Sequence, residues 1–352
     1  MSRLTDDYGA LLNKLQKSAA EHRQPLNVTF ELTARCNQAC RMCYISRPVT
    51  DSIARSRELT AAEWVDIAGQ AKKEGMLFLL LTGGEIFVRP DFFEIYRPLT
   101  GMGLLISLYT SATLVTDSVA DQLAEMPPHR VEVSLYGANA DTYETVTGTP
   151  GSFARCLKGI EALVKRNINV VLKATITRQN AGELYDMQKI AKRWDLQFSA
   201  SWLLTGRTDG MPSGIDACRL SPSQALAIEE ADPDLVEEWR NSEMSSGKEN
   251  FYCQAGKTSC LIDPAGAMNV CSDLPAPGIM VPDVGFREAW KELQRFVEAA
   301  PGLSAECLDC DAIQYCAICP AWSYLENGRM AGSVEYLCKI AHERKKRYES
   351  EQ

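Results

Sequence analysis

The stretch LNVTFELTARCNQACRMCY (26–44) decides the fold, because a strand pattern runs straight into three closely spaced cysteines. Leu26, Val28, Phe30 and Leu32 alternate with Asn27, Thr29 and Glu31, the period of a strand with one face buried. Cys36, Cys40 and Cys43 follow with Cys-x3-Cys-x2-Cys spacing. Three neighbouring thiolates can hold an iron-sulfur cluster while leaving one iron without a protein ligand, and an open metal position is where a cofactor can bind. A structural zinc knuckle is the competing reading, but three cysteines need a fourth ligand to close it and no histidine lies nearby.

Outward from that stretch, helix-like and strand-like segments alternate. Strands are expected at Met76 to Leu81, Leu104 to Tyr109, Val131 to Leu135, Asn169 to Ala174 and Gln197 to Trp202. Helices are expected at Thr60 to Lys73, Phe92 to Leu99, Ser118 to Glu125, Ser152 to Arg166 and Glu183 to Trp194. Six βα units in a row imply an α/β fold with a parallel sheet, curved into a partial (β/α)6 barrel. Each unusual residue falls just past a strand end: the cysteines after the first, Thr82-Gly83-Gly84-Glu85 after the second, Thr110-Ser111 after the third, Ser134 to Gly137 after the fourth. In barrels the carboxyl ends of the strands build the active site.

The chain of 352 residues carries 46 acidic and 37 basic side chains, a net charge of -9, so no broad basic surface argues for nucleic acid. The N-terminus lacks the apolar core of a signal peptide and no apolar run reaches membrane-spanning length, which predicts a cytoplasmic protein with no membrane partner. Thirteen cysteines in such a chain read as metal ligands rather than disulfides, with iron-sulfur clusters first and all-cysteine zinc second.

The expected organisation is an N-terminal helical extension (1–25), a barrel (26–205), a linker with an acidic helical stretch from Gln224 to Arg240 (206–250) and a small cysteine-rich domain (251–352). Eight of the cysteines lie in that last part: Cys253, Cys260, Cys271, Cys307, Cys310, Cys316, Cys319 and Cys338. A module so short of regular periodicity is expected to draw much of its folding energy from metal binding.

The triplet with Tyr44 beside its last cysteine, followed one βα unit later by Gly83-Gly84-Glu85, resembles the radical S-adenosylmethionine (SAM) superfamily. The resemblance implies a [4Fe-4S] cluster on Cys36, Cys40 and Cys43, whose open iron takes the amino and carboxylate groups of SAM. Gly83 and Gly84 would let backbone approach the cofactor, and Glu85 would accept hydrogen bonds from its ammonium. Tyr44, Ser111 and Ser134 fall at further positions tied to the cofactor in the family. Thr147 stands where many relatives have an arginine, which leaves the partner of the SAM carboxylate unassigned.

The C-terminal cysteines are similar to the SPASM extension of that superfamily, which carries two auxiliary [4Fe-4S] clusters. By analogy, Cys253, Cys260, Cys271 and Cys319 would close the first and Cys307, Cys310, Cys316 and Cys338 the second. Cys260 is the weakest member of the set, because spacing alone leaves an open iron possible there. All-cysteine zinc stays open for part of this module. Cys156 lies on an apolar helical stripe and reads as a buried thiol, Cys218 as a residue of the connection. Asp273, two residues after Cys271, is a candidate proton acceptor.

SPASM relatives mostly modify peptides, so the resemblance implies a peptide maturase forming a thioether, a carbon-carbon cross-link or another side-chain oxidation. An electron donor such as flavodoxin or ferredoxin would serve it, and a separate leader-binding protein where leader recognition is needed. Sulfatase-type serine or cysteine oxidation and small-molecule dehydrogenation are the alternatives within enzymes. An iron-sulfur electron carrier or redox sensor is the alternative outside them.

Overall fold

A computed structural model describes residues 2–210, 213–241, 251 and 253–350. Its centre is a nine-stranded sheet. Six strands come from successive βα units: β1 (Asn27–Thr33), β2 (Phe78–Gly83), β3 (Leu105–Thr110), β4 (Arg130–Ser134), β5 (Val170–Thr175) and β6 (Gln197–Ser201). They pair in parallel and in chain order, as the alternation of segments predicts.

Odd and even positions separate two environments. Val28 and Phe30 of β1, Leu79 and Leu81 of β2, and Val131 and Val133 of β4 are buried in one apolar core beneath the helices. The helix Ala61–Lys73 is fixed at its start by a capping box between Thr60 and Glu63, and its Trp64 ring lies 4.7 Å from Phe30. The other face of the strands borders a polar hollow, with Thr29, Tyr109, Glu132, Lys173 and Thr175 on its wall.

The sheet runs on past the boundary read near residue 250. Strand β7 (Ser259–Ile262) pairs in parallel with β1 on the side opposite β2, and β8 (Ala267–Cys271) and β9 (Leu274–Met280) follow as an antiparallel hairpin. The helix Phe286–Ala299 buries Phe286, Ala289, Trp290, Leu293 and Val297 in the same core. Residues 259–300 therefore complete the sheet and share its apolar core. A smaller core around Tyr315, Cys316, Ile318, Trp322 and Leu337 holds the segments that follow.

The acidic stretch expected as one helix from Gln224 to Arg240 is two, Pro222–Glu229 and Pro233–Arg240, because Pro233 has no N–H to continue the first and starts the second. Near the C-terminus, one basic side chain is taken inside. Arg344 is buried, with its guanidinium bonded to both oxygens of Glu229 at 2.9 and 2.7 Å and 3.8 Å from the Trp239 ring.

Candidate metal centre and cofactor cavity

The three cysteines of the triplet border one cavity of about 600 Å³ at the carboxyl ends of the strands. The loop that carries them is fastened by backbone bonds from β2: Gly84 N donates to Thr33 O at 2.7 Å and Glu85 N to Arg35 O at 3.0 Å. A Cβ on Gly83 would lie 2.2 Å from Thr33 O, and one on Gly84 2.4 Å from Arg35 O. The two glycines are thus required by the loop's own backbone, beyond any approach to a ligand. Beneath the loop, Arg35 forms a two-pronged pair with Glu58, both bonds 2.8 Å, and Thr33 bonds the same carboxylate.

Glu85, expected to accept from the cofactor's ammonium, lies just past the end of β2. It is fully buried and does not border the cavity. Its carboxylate accepts from Thr110 Oγ1 at 2.8 Å, from Ser111 N at 2.8 Å and Ser111 Oγ at 2.6 Å, and from Phe87 N at 3.3 Å. Glu85 therefore ties the end of β2 to the end of β3, and its acceptor sites are used within the protein. Gly83, Gly84, Ser111, Ser134 and Tyr44 do border the cavity. The Tyr44 phenol donates to Glu31 at 2.5 Å. Thr147 is buried, bonded to Ser152 Oγ at 2.9 Å, and its carbonyl accepts from Ala39 N at 2.9 Å, so it holds the cysteine loop from behind.

The hollow also holds a charged group that the sequence reading did not single out. Lys173 Nζ lies 2.9 Å from Glu132 and 3.9 Å from the centre of the Tyr109 ring, while Arg130 Nε lies 2.7 Å from the same carboxylate. Of these, Glu132 and Lys173 face the cavity, where they form an ion pair. The signal was present: Glu132 and Lys173 are polar positions inside strands otherwise rich in valine. Arg207 was missed too; its Nη2 reaches Ser46 O at 3.2 Å beside the cysteine loop.

Cys271 and Asp273 stand on the same cavity as the triplet. Burial pushes the Cys271 thiol up to about 12, with Asp273 and Cys319 adding to it. Burial pushes the Cys319 thiol up to about 11, with Asp273 and Cys253 adding to it. Cys271 thus feels Cys319, and Cys319 feels Cys253. Cys316 and Cys338 both feel Cys307, and Cys338 feels Cys310. Burial alone raises the Cys260 thiol, and the residue borders the cavity. Cys156 and Cys218 are buried, the latter packed with Met42, Leu204 and Ile215.

The donor set suits a cationic iron-sulfur centre. Burial pushes the Cys36 thiol up to about 12 and raises Cys40 and Cys43 as well, so the thiolates need a positive partner that no side chain supplies in full. Asn37 Oδ1, within this loop, is a buried acceptor with no hydrogen-bond partner among the described residues.

The family model for the Radical SAM superfamily matches residues 30–189. The AdoMet-dependent heme synthase of Methanosarcina barkeri is 30% identical over 329 residues, 86% of this chain and 93% of the relative. The mycofactocin maturase MftC of Mycobacterium tuberculosis is 27% identical over 316 residues, 83% of this chain and 77% of the relative. Streptococcus suis SuiB, solved with S-adenosylmethionine, superposes with a TM-score of 0.68 at 16% identity, covering 94% of this chain and 83% of SuiB. It shares the fold. With the cysteine loop, the cavity and these relatives in agreement, the chain belongs to the radical SAM superfamily, whose members are enzymes that bind a [4Fe-4S] cluster and S-adenosylmethionine.

Proposed function

We propose that this enzyme is a cytoplasmic peptide maturase that oxidises a side chain of a peptide substrate, leaving a thioether or carbon-carbon cross-link or a related product. The observation that carries this reading is one continuous cavity bounded by Cys36, Cys40 and Cys43 on one wall and by Cys271 and Asp273 on another. Its volume of about 600 Å³ falls in the ordinary range for sites that enclose a small ligand. A substrate residue placed there lies between two metal-binding groups. The name of mycofactocin maturase, a relative over most of this chain, points the same way.

When bound, the cluster and S-adenosylmethionine supply reductive cleavage of the sulfonium to a 5′-deoxyadenosyl radical that abstracts hydrogen from carbon. Cys36, Cys40 and Cys43 would hold the cluster, and Gly83, Gly84, Ser111 and Ser134 would line the place of the nucleotide. Leu203, Leu204 and Trp322 border the same cavity and limit water at the reacting carbon. Cysteines of the tail would hold two auxiliary clusters able to accept an electron. A small donor such as flavodoxin or ferredoxin and, where needed, a separate leader-binding protein complete the system.

Anaerobic incubation with dithionite, SAM and short peptides encoded beside this gene tests the proposal. The expected result is 5′-deoxyadenosine together with a peptide lighter by the mass of its lost hydrogens. The heme synthase relative, 93% covered at 30% identity, favours a second reading in which a tetrapyrrole is the substrate. Turnover of a porphyrin precursor with every peptide unchanged would establish that reading and overturn the first.

A further inference from the structure

The thiols of the triplet are approached from two sides. Cys36 and Cys40 border the inner cavity, and both also border a second hollow of about 540 Å³ whose rim includes the exposed residues Pro48, Val49 and Thr50. The inner cavity is the place of the nucleotide and the substrate. The outer hollow is therefore the side from which an electron can reach the cluster without crossing them. Electron transfer between proteins weakens steeply with distance, so a protein donor has to seat its redox group close to the cluster it reduces.

Round that hollow the charge of the chain changes sign. Residues 41–57, RMCYISRPVTDSIARSR, carry four arginines and one acid, Asp51, in a chain whose net charge is -9. Arg41, Arg55 and Arg57 are exposed. Arg207 borders the hollow, and its partner Asp209, at 2.6 Å, is shared with Arg47 at 2.9 Å. Asp51 N is bonded to Pro48 O on the rim at 2.9 Å, and the Asp51 carboxylate caps the helix Ser52–Ser56 through Ala54 N at 2.9 Å, so Arg55 stands within one turn of the rim. Beside Thr149, which also borders the hollow, Arg155 bonds Pro150 O at 3.2 Å. Glu58, the next acid along the chain, is turned inward to Arg35. Val49 and Ile53, 41% and 66% exposed, place apolar surface among the arginines.

We infer that this face is where the electron donor docks, and that the donor is a small protein carrier with an acidic surface whose redox group sits over the outer hollow. Cations around a small apolar centre suit a partner that is steered by charge and held briefly, as weak redox encounters are. The carrier gives up one electron and the [4Fe-4S] cluster gains it. No bond or proton passes between the two proteins. The inference rests on the family assignment and on the donor named under the proposed function, and it does not depend on whether the substrate is a peptide.

The test follows the rate of cluster reduction in the full chain, purified anaerobically with its clusters, with a prereduced acidic flavodoxin or ferredoxin as donor and no substrate present. Arg55→Glu combined with Arg57→Glu is expected to slow this reduction about tenfold at low salt, and Val49→Glu to slow it by a smaller factor. Raising the salt to about 0.5 M should slow the unaltered protein and shrink the difference. Two controls separate docking from damage. Dithionite at the higher salt should reduce all the proteins at one rate, and Lys346→Glu, a reversal at an exposed position of the C-terminal helix, should leave the carrier's rate within about twofold. Where a reversal lowers the iron content, Arg55→Gln combined with Arg57→Gln takes its place, with a loss of about threefold expected. An unchanged rate in the arginine variants, a loss as large in Lys346→Glu, or no reduction of the unaltered protein by either carrier would overturn the inference. The second of these outcomes would place electron entry at the tail. Failure of every peptide to react would leave all these rates as they are.

Discussion

The Cys36/Cys40/Cys43 loop and the group of Cys253, Cys271 and Cys319 border the same part of the molecule but are assembled differently. The first draws its cysteines from one short loop whose backbone is bonded to β2 at Gly84 and Glu85 and whose base rests on the buried Arg35–Glu58 pair. The second draws its cysteines from three separate segments: the approach to β7, the end of β8 and the start of the helix Pro320–Asn327. The first site is fixed by bonds within the protein's own backbone and the Arg35–Glu58 pair. The tail beyond residue 300 is held by a small core of its own, so metal bound by its cysteines would add to its folding energy.

Removing ligands gives the largest effect and the sharpest form of that comparison. Substituting Cys36, Cys40 and Cys43 together by Ala is expected to lower the iron content by about four and to abolish 5′-deoxyadenosine formation, with the proteolysis pattern unchanged. Substituting Cys316 and Cys338 by Ala is expected to lose a similar amount of iron and to open the chain beyond residue 300 to protease. Equal protease resistance in the two variants would break the comparison, because the tail would then be ordered without its metal.

Buried ion pairs supply a second, smaller test, since each region has one. Glu58, with 6% of its side chain exposed, neutralises Arg35, and Glu229, with 2%, neutralises Arg344. Removing one partner of a buried pair leaves the other charged and unpaired, at a cost of about 3–5 kcal/mol. Glu58→Ala and Glu229→Ala are therefore expected to lower urea midpoints to a similar degree. They should differ in what they release: Glu58→Ala loosens the triplet and its iron, whereas Glu229→Ala loosens the tail. Loss of triplet iron in Glu229→Ala would show that the two regions are mechanically one.

Much of this division was legible in the sequence. The six strands of the βα units fall where alternation placed them, because each has one apolar face and is followed by a strong turn or helix signal. Strand β9, LPAPGIM, was not legible, since two prolines and a glycine argue against a strand and are tolerated here only at the sheet edge. The helix Phe286–Ala299 shows apolar residues at Phe286, Ala289, Trp290, Leu293 and Val297, a helical stripe that the density of cysteines around it obscured. At the site, Gly-Gly-Glu marked the right strand end, yet the partners of Glu85 on β3 are a fact of strand order in space. Whether Cys260 faces metal or core depends on the register of β7 against β1, which cysteine spacing does not contain.

The smallest expected effect concerns the place where the two regions face each other. Glu31 lies on β1, accepts from Tyr44 of the cluster loop, and feels the charges of Asp263 and Asp273 from the other side. Burial pushes its carboxyl from the ordinary 4.5 up to about 7, with the two aspartates adding to the rise and the Tyr44 bond opposing it. The folded protein thus keeps a proton that the unfolded chain has released across this interval. More protons in the folded state mean that stability falls as pH rises from about 4.5 to about 7 and then levels off. Glu31→Gln cannot ionise and still accepts from Tyr44, so it is expected to remove this slope and to be the more stable protein above about pH 7. Urea midpoints of both proteins across the interval measure the effect. Parallel profiles would mean that Glu31 is solvated when folded, and that the charges of Asp263 and Asp273 do not reach the strand carrying the first site.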